Sequence, residues 1–311
     1  MVTATNRHSV VLALGGGGAR GIAHLGVIES LLTRPLNIER YVGVSIGALA
    51  GALCAADHDI VAIQRRVVEY LTSDQFQSKQ AALFSAAPEA EEPGTSGLFA
   101  WYSQIRRFLG ARRKLSVLLS RPALLGPDVM QDVVDALIPD IDISETTTPL
   151  SIVALDLLSG RRVELTRGSL KAAVMASAAI PGVFPPIAID DMLLCDIGMM
   201  DAIPAKLAKS YGAELTIAVD VGGKVEAVPT CVTAADVFLR LSDIGEPLVR
   251  EYTNAFADFV LYPDVSHHPW YDFSNPQSLI DLGRAAVPGV CGLPCRPPAA
   301  RRSCTQLTSQ N

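Results

Sequence analysis

A serine between two glycines, Gly43-Val44-Ser45-Ile46-Gly47, follows the apolar pair Tyr41-Val42 and opens an alanine-rich stretch. Where a strand turns sharply into a helix, a Gly-x-Ser-x-Gly sequence lifts one hydroxyl clear of the backbone as a nucleophile. Upstream, Gly15-Gly16-Gly17-Gly18-Ala19-Arg20-Gly21 forms a second glycine corner directly after Val10-Val11-Leu12-Ala13-Leu14. Consecutive glycine amides beside the positive end of a helix can hold a developing oxyanion. Each corner also admits a plainer reading. Ser45 could do no more than N-cap the following helix. The first corner matches the dinucleotide pattern Gly16-x-Gly18-x-x-Gly21, with Glu39 near the place of a ribose-binding acid, and a tight strand–helix turn uses glycine for packing alone.

A serine hydroxyl needs a base. A histidine-dependent triad in the order Ser, Asp, His leaves only His267 and His268, set in a loop between Ser266 and Pro269. His24 and His58 fall on predicted helices, at solvated or satisfied positions. Asp196 is placed differently: it follows the short strand Leu193-Leu194-Cys195 and precedes Ile197-Gly198, a turn at the strand end where α/β sheets build their sites. An ordinary carboxylate, with pKa near 3.9, is a poor base for a hydroxyl. Partial desolvation and a direct hydrogen bond to the serine improve it, so a Ser45–Asp196 dyad is chemically coherent.

The elements that position these groups read as α/β. Strands are predicted at Val10–Leu14, Tyr41–Val44, Ser151–Leu155, Arg161–Leu165, Leu193–Cys195, Glu214–Asp220 and Phe259–Tyr262. Helices are predicted at Ala19–Thr33, Ser45–Ala56, Asp59–Leu71, Leu170–Ala178, Ala202–Tyr211, Ala234–Tyr252 and Gln277–Ala286. The alternation implies a three-layer α/β/α fold around a mostly parallel sheet. With 311 residues, 49% of them hydrophobic, the chain can bury such a core. One domain is expected over 8–286, with 73–148 as a divergent helical cap insertion and 287–311 as a disordered tail. Within that insertion, Ser85–Gly97 reads as a mobile loop.

A net charge of −6 offers no basic field for nucleic acid. Cys54, Cys195 and Cys231 lie in apolar runs and read as small core residues. Cys291, Cys295 and Cys304 in the tail make neither a metal site nor a disulfide framework, so the expected setting is a reducing cytosol. The apolar run before the first glycines is too short for a signal-peptide core.

These motifs resemble those of the patatin-like phospholipase family, in particular its single-domain bacterial members. The resemblance rests on Gly16-Gly17-Gly18-Ala19-Arg20-Gly21, Gly43-Val44-Ser45-Ile46-Gly47 and Asp196-Ile197-Gly198. It is joined by Ala176-Ser177-Ala178-Ala179-Ile180-Pro181-Gly182-Val183-Phe184-Pro185-Pro186 and by the strand from Gly212 to Val221. It covers roughly 9–72 and 148–222. The resemblance implies a lipid acyl hydrolase with Ser45 as nucleophile and Asp196 as base. The amides of Gly16, Gly17 and Gly18 would hold the oxyanion, and Arg20 would support the loop or a lipid phosphate. Gly21, Gly43, Gly47 and Gly198 would complete the turns, and no metal or other cofactor is required. Isoleucine at 197 departs from the family's usual glycine; a positive φ there would strain a β-branched residue and displace the aspartate. The alternative function is therefore a catalytically silent fold that binds lipid or a partner. The segment Leu98–Pro127, with six basic residues and interleaved aromatics, admits two readings: a cap helix packed on the domain with solvated arginines, or a cap that also brings a cytoplasmic protein to anionic membrane surfaces.

Overall fold

The computed structural model describes residues 7–84, 123, 125–225, 227, 228 and 230–287. The loop expected at Ser85–Gly97, nearly all of the basic segment 98–127 and the tail beyond Val287 lie outside these residues.

A mixed sheet with helices on both faces organises the chain. Five strands run parallel in the order β3-β2-β1-β7-β8: Leu150–Asp156, Leu36–Val44, His8–Leu14, Leu215–Val219 and Phe259–Leu261. Beside β3 the sheet turns antiparallel, through β4 (Arg161–Leu165), β5 (Ile187–Ile189) and β6 (Met192–Cys195). The helices are α1 (Ala23–Leu32), α2 (Ile46–Ala56), α3 (Ile60–Leu71), α4 (Asp74–Phe84) and α5 (Asp128–Leu137). They continue as α6 (Leu170–Ala178), α7 (Ala205–Ser210), α8 (Ala234–Asn254) and α9 (Pro276–Ala285).

The period-2 pattern of the central strands explains why both faces are covered. Along β1, Val10, Leu12 and Leu14 join the larger core beneath α1, α2 and α9. Val11 and Ala13 join a smaller core with Val42, Val44, Val153 and Ala205 of α7.

Several boundaries differ from expectation. β2 begins at Leu36, because the mixed-polarity stretch Leu36–Arg40 pairs with His8–Val11 across an irregularity in register. The predicted helix Ala19–Thr33 is split, its first turn Gly18–Ile22 being a 3-10 turn. Phe76 of α4 and Met130, Val134 and Leu137 of α5 are buried in the main core, so both ends of the 73–148 segment are built into the domain. Val287, assigned to the tail, is buried too. Cys231 is exposed, not a core residue, because it lies in an irregular stretch ahead of α8; Cys54 and Cys195 are buried as expected.

Candidate active site

Parallel pairing brings the two glycine corners together. Leu14 and Gly43 are register partners, so the chain leaves β1 and β2 at the same edge of the sheet. There Ser45 adopts φ 56° and ψ −125°, a left-handed conformation that costs a non-glycine residue about 1–3 kcal/mol. Its side chain makes no capping hydrogen bond to α2, which removes the N-cap as its role. The strained turn is held from below. The Ser45 amide donates to Ser177 Oγ at 2.9 Å, and that hydroxyl donates to the Val153 carbonyl at 2.7 Å. Ser177 therefore ties the elbow to β3, a role that its place in an alanine-rich helical pattern did not reveal.

Loss of this tie is measurable. Ser177→Ala leaves a buried amide and a buried carbonyl without their partner, each worth about 1–3 kcal/mol. We expect a lower thermal midpoint and a kcat reduced about tenfold or more, because the elbow relaxes; an unchanged kcat would show that the turn holds itself.

Asp196 reaches Ser45 by a route the sequence did not suggest. β6 runs antiparallel to β3, with Cys195 opposite Leu155, so the carboxylate enters from beyond the ends of the parallel strands. Ser45 and Asp196 line the same cleft, and the nearby Ser45 side chain favours the ionised carboxylate. The Gly198 amide donates to Oδ1 at 2.6 Å, and Asp196's own amide donates to the Ala179 carbonyl at 2.9 Å. Ser45 and Asp196 are only 7% and 6% exposed. Desolvation outweighs the lowering influence of Ser45 and of the Gly198 amide and raises the Asp196 pKa to about 6. Ile197 does not have a positive φ; it is buried with Val44, Val153 and Ile203, leaving the aspartate undisturbed.

The glycine loop is more selective than its sequence. The Gly16 amide donates to the Ala202 carbonyl at 2.9 Å, which takes it out of the expected oxyanion trio. No backbone acceptor among the described residues takes the Gly17 or Gly18 amide. Behind the loop, fully buried His24 directs Nε2 to the Gly15 carbonyl at 2.8 Å; burial lowers its pKa to about 4 and keeps it neutral. Arg20 is also buried, with Nε donating to the His268 carbonyl at 2.8 Å. Of its two expected roles, this geometry fits loop support. The motif glycines admit close neighbours: a Cβ on Gly21 would overlap Ile46, and one on Gly43 would lie 2.5 Å from the Gly47 carbonyl.

Two cavities meet at Ser45. One is a cleft of mixed character, in which Asp196, Arg20, Lys224, Arg240, Asp243 and Glu246 stand among apolar walls such as Met199 and Val225. Burial raises the Glu246 pKa to about 7, against the lowering influence of Arg250. The other is apolar and runs between the helices past Leu49, Leu53, Leu71, Phe76, Met130 and Leu137. Gly18, Ser45, Ile180 and Trp270 line both.

The competing assignments do not converge here. His267 is exposed, and neither it nor His268 lines either cavity. Glu39 lies in β2 at the register irregularity opposite Val10 and Val11, toward the far end of the strand from the glycine loop, so it is not placed as a ribose-binding acid. Among the described residues, no group of three or more His, Cys, Asp or Glu is arranged to hold a metal, and no helix is long and apolar enough to cross a membrane.

The family model for patatin-like phospholipase matches residues 12–209. An uncharacterized NTE family protein of Mycobacterium bovis is 33% identical over 220 residues, covering 71% of this chain and 51% of that protein. Lysophospholipase NTE1 of Yarrowia lipolytica is 28% identical over 222 residues, 71% of this chain and 13% of its own. Human patatin-like phospholipase domain-containing protein 6 is 28% identical over 266 residues, 83% of this chain and 16% of its own. The chain thus spans about half the length of the mycobacterial relative and a small part of the other two. Among solved structures, VipD from Legionella pneumophila is similar with a TM-score of 0.38 and 14% identity, covering 90% of this chain and 67% of that one.

Proposed function

The chain belongs to the patatin-like phospholipase family, and from that premise we propose that it hydrolyses lipid acyl esters through Ser45 and Asp196. The observation that carries this reading is the Ser45 hydroxyl, freed from capping by a strained turn and sharing one cleft with a desolvated carboxylate.

Asp196 accepts the Ser45 proton as Oγ attacks the ester carbonyl. Negative charge develops on the carbonyl oxygen, toward which the Gly17 and Gly18 amides can donate. Asp196 then returns the proton to the departing alcohol, leaving an acyl-Ser45 ester. Water enters, gives its proton to Asp196 and attacks the acyl carbon. The carboxylic acid departs and Ser45 regains its proton. One water is consumed, and one alcohol and one acid are released. The apolar pocket beside Ser45 supports a substrate with a hydrocarbon chain.

A fluorophosphonate probe tests the chemistry, since it labels only an activated serine. We expect labelling of the wild-type protein and none of Ser45→Ala. Absence of labelling in the wild type, or labelling that survives Ser45→Ala, would overturn the assignment.

A further inference from the structure

We propose that Trp270 is a specificity-determining wall that imposes one orientation on the ester, with the acyl chain in the apolar pocket and the alcohol half in the cleft that holds Asp196. This inference rests on the hydrolase reading above and deepens it.

The orientation follows from where the proton must go. Asp196 lines the mixed cleft and not the apolar pocket. In the step that breaks the ester, the leaving oxygen must receive the proton that Asp196 holds, so the alcohol half has to lie on that side. The hydrolytic water must reach the same carboxylate by the same cleft. Only the acyl carbons are left to fill the apolar pocket, whose walls offer almost nothing polar to an alcohol. The cleft, with Lys224, Arg240, Asp243 and Glu246 among its apolar walls, offers a polar alcohol the partners that the apolar pocket lacks.

Trp270 stands where the two spaces join, since it lines both. It is fixed there by the glycine loop itself. The Ala19 amide donates to the Trp270 carbonyl at 2.7 Å, and Arg20 holds the His268 carbonyl two residues earlier. Gly18, at φ 61°, brings the chain so close that an added Cβ would lie 3.1 Å from Trp270 Cε3 and overlap its carbonyl oxygen. The other side of the segment is anchored too. Gln80 Nε2 donates to the Tyr271 carbonyl at 3.2 Å, and Phe273 packs edge-on against Phe76 with ring centroids 5.8 Å apart. The indole thus sits on a segment braced at both ends, against the loop that carries the oxyanion donors. Arg20 acts as a positioning residue for this wall.

The test uses two isomeric esters that differ only in which half carries the chain: 2-hydroxyethyl dodecanoate and dodecyl 2-hydroxyacetate. We expect wild-type kcat/KM to favour the dodecanoate at least tenfold. Trp270→Ala, which opens the two spaces to each other, should compress that ratio to within about threefold, while Trp270→Phe retains it. No wild-type preference, or a preference for dodecyl 2-hydroxyacetate, overturns the proposal without need of any variant. So does a ratio unchanged in a folded Trp270→Ala protein. Fluorophosphonate labelling of the wild type with no isomer preference defeats the wall while leaving the hydrolase reading intact. No labelling and no hydrolysis of either ester defeats both.

Discussion

Asp196→Asn should reduce kcat by about 10²–10⁴-fold, the range associated with loss of a positioned general base. The side chain keeps its shape and can still accept from the Gly198 amide, so the loss reports the missing basicity and not a collapsed turn. In the wild type the base must be ionised. With a pKa of about 6, the acid limb of kcat/KM is expected near pH 6, some two pH units above that of an ordinary carboxylate. The same shift bears on stability. Folding holds the proton on Asp196 to higher pH than the unfolded chain does, so its ionisation opposes the folded state. That cost is absent below about pH 4, grows between pH 4 and 6, and is fully present above pH 6. Asp196→Asn should therefore raise the unfolding free energy at pH 8, by up to about 3 kcal/mol, and show no such gain at pH 3.5. Denaturant unfolding at the two pH values checks it. An activity limb near pH 4, or a gain equal at both, would show that burial does not set the carboxylate's basicity.

Gly47→Ala should be among the most damaging single-methyl additions in the chain. Its Cβ would overlap the Leu14 carbonyl oxygen and lie 2.7 Å from that of Gly15. Both atoms are backbone at the exit of the central strand β1, so neither can swing aside as a side chain would. Relief requires moving α2 away from β1, which separates Ser45 from the glycine loop. We expect a destabilisation of about 3 kcal/mol or more, read as a lower denaturant midpoint, and loss of fluorophosphonate labelling. Gly51→Ala, one helical turn later, is the informative contrast. Its Cβ would meet only side chains, at 3.3–3.5 Å, and alanine's higher helix propensity offsets the crowding. That variant should stay within about 1 kcal/mol of wild type. Equal midpoints for the two would mean that the close approach of β1 and α2 is not what the glycine serves.

The contrast between these glycines shows where sequence reading succeeds and where it stops. The corners at Gly15–Gly21 and Gly43–Gly47 are legible because glycine between a β-branched run and an alanine-rich run has few local meanings. The parallel sheet is legible for the same reason, since β1, the inner half of β2 and β7 are short apolar runs alternating with helical periods. The short antiparallel strand Ile187–Ile189 was not, because three residues carry too little pattern. The outer half of β2 is not legible because Asn37, Glu39 and Arg40 break the apolar run, although Asn37 and Arg40 pair with Ser9 and Val11 of β1 on either side of the irregularity at Glu39.

Within the site, residue types and their order along the chain were set by the sequence alone: a serine at an elbow, glycines before it, a carboxylate after a late strand, and a β-branched Ile197 beside it. Their chemistry was decided by contacts between segments far apart in sequence. Ala202 took the Gly16 amide, so the proposed oxyanion donors are Gly17 and Gly18 alone. Ser177, 132 positions from Ser45, secured the strained turn. Packing around Asp196 stripped away water and made a weak base a stronger one. Trp270 reached the junction of two cavities from a loop with no motif at all. Backbone conformation is written locally because sterics act between neighbours; desolvation, hydrogen-bond competition and the shape of a pocket arise only when distant segments pack.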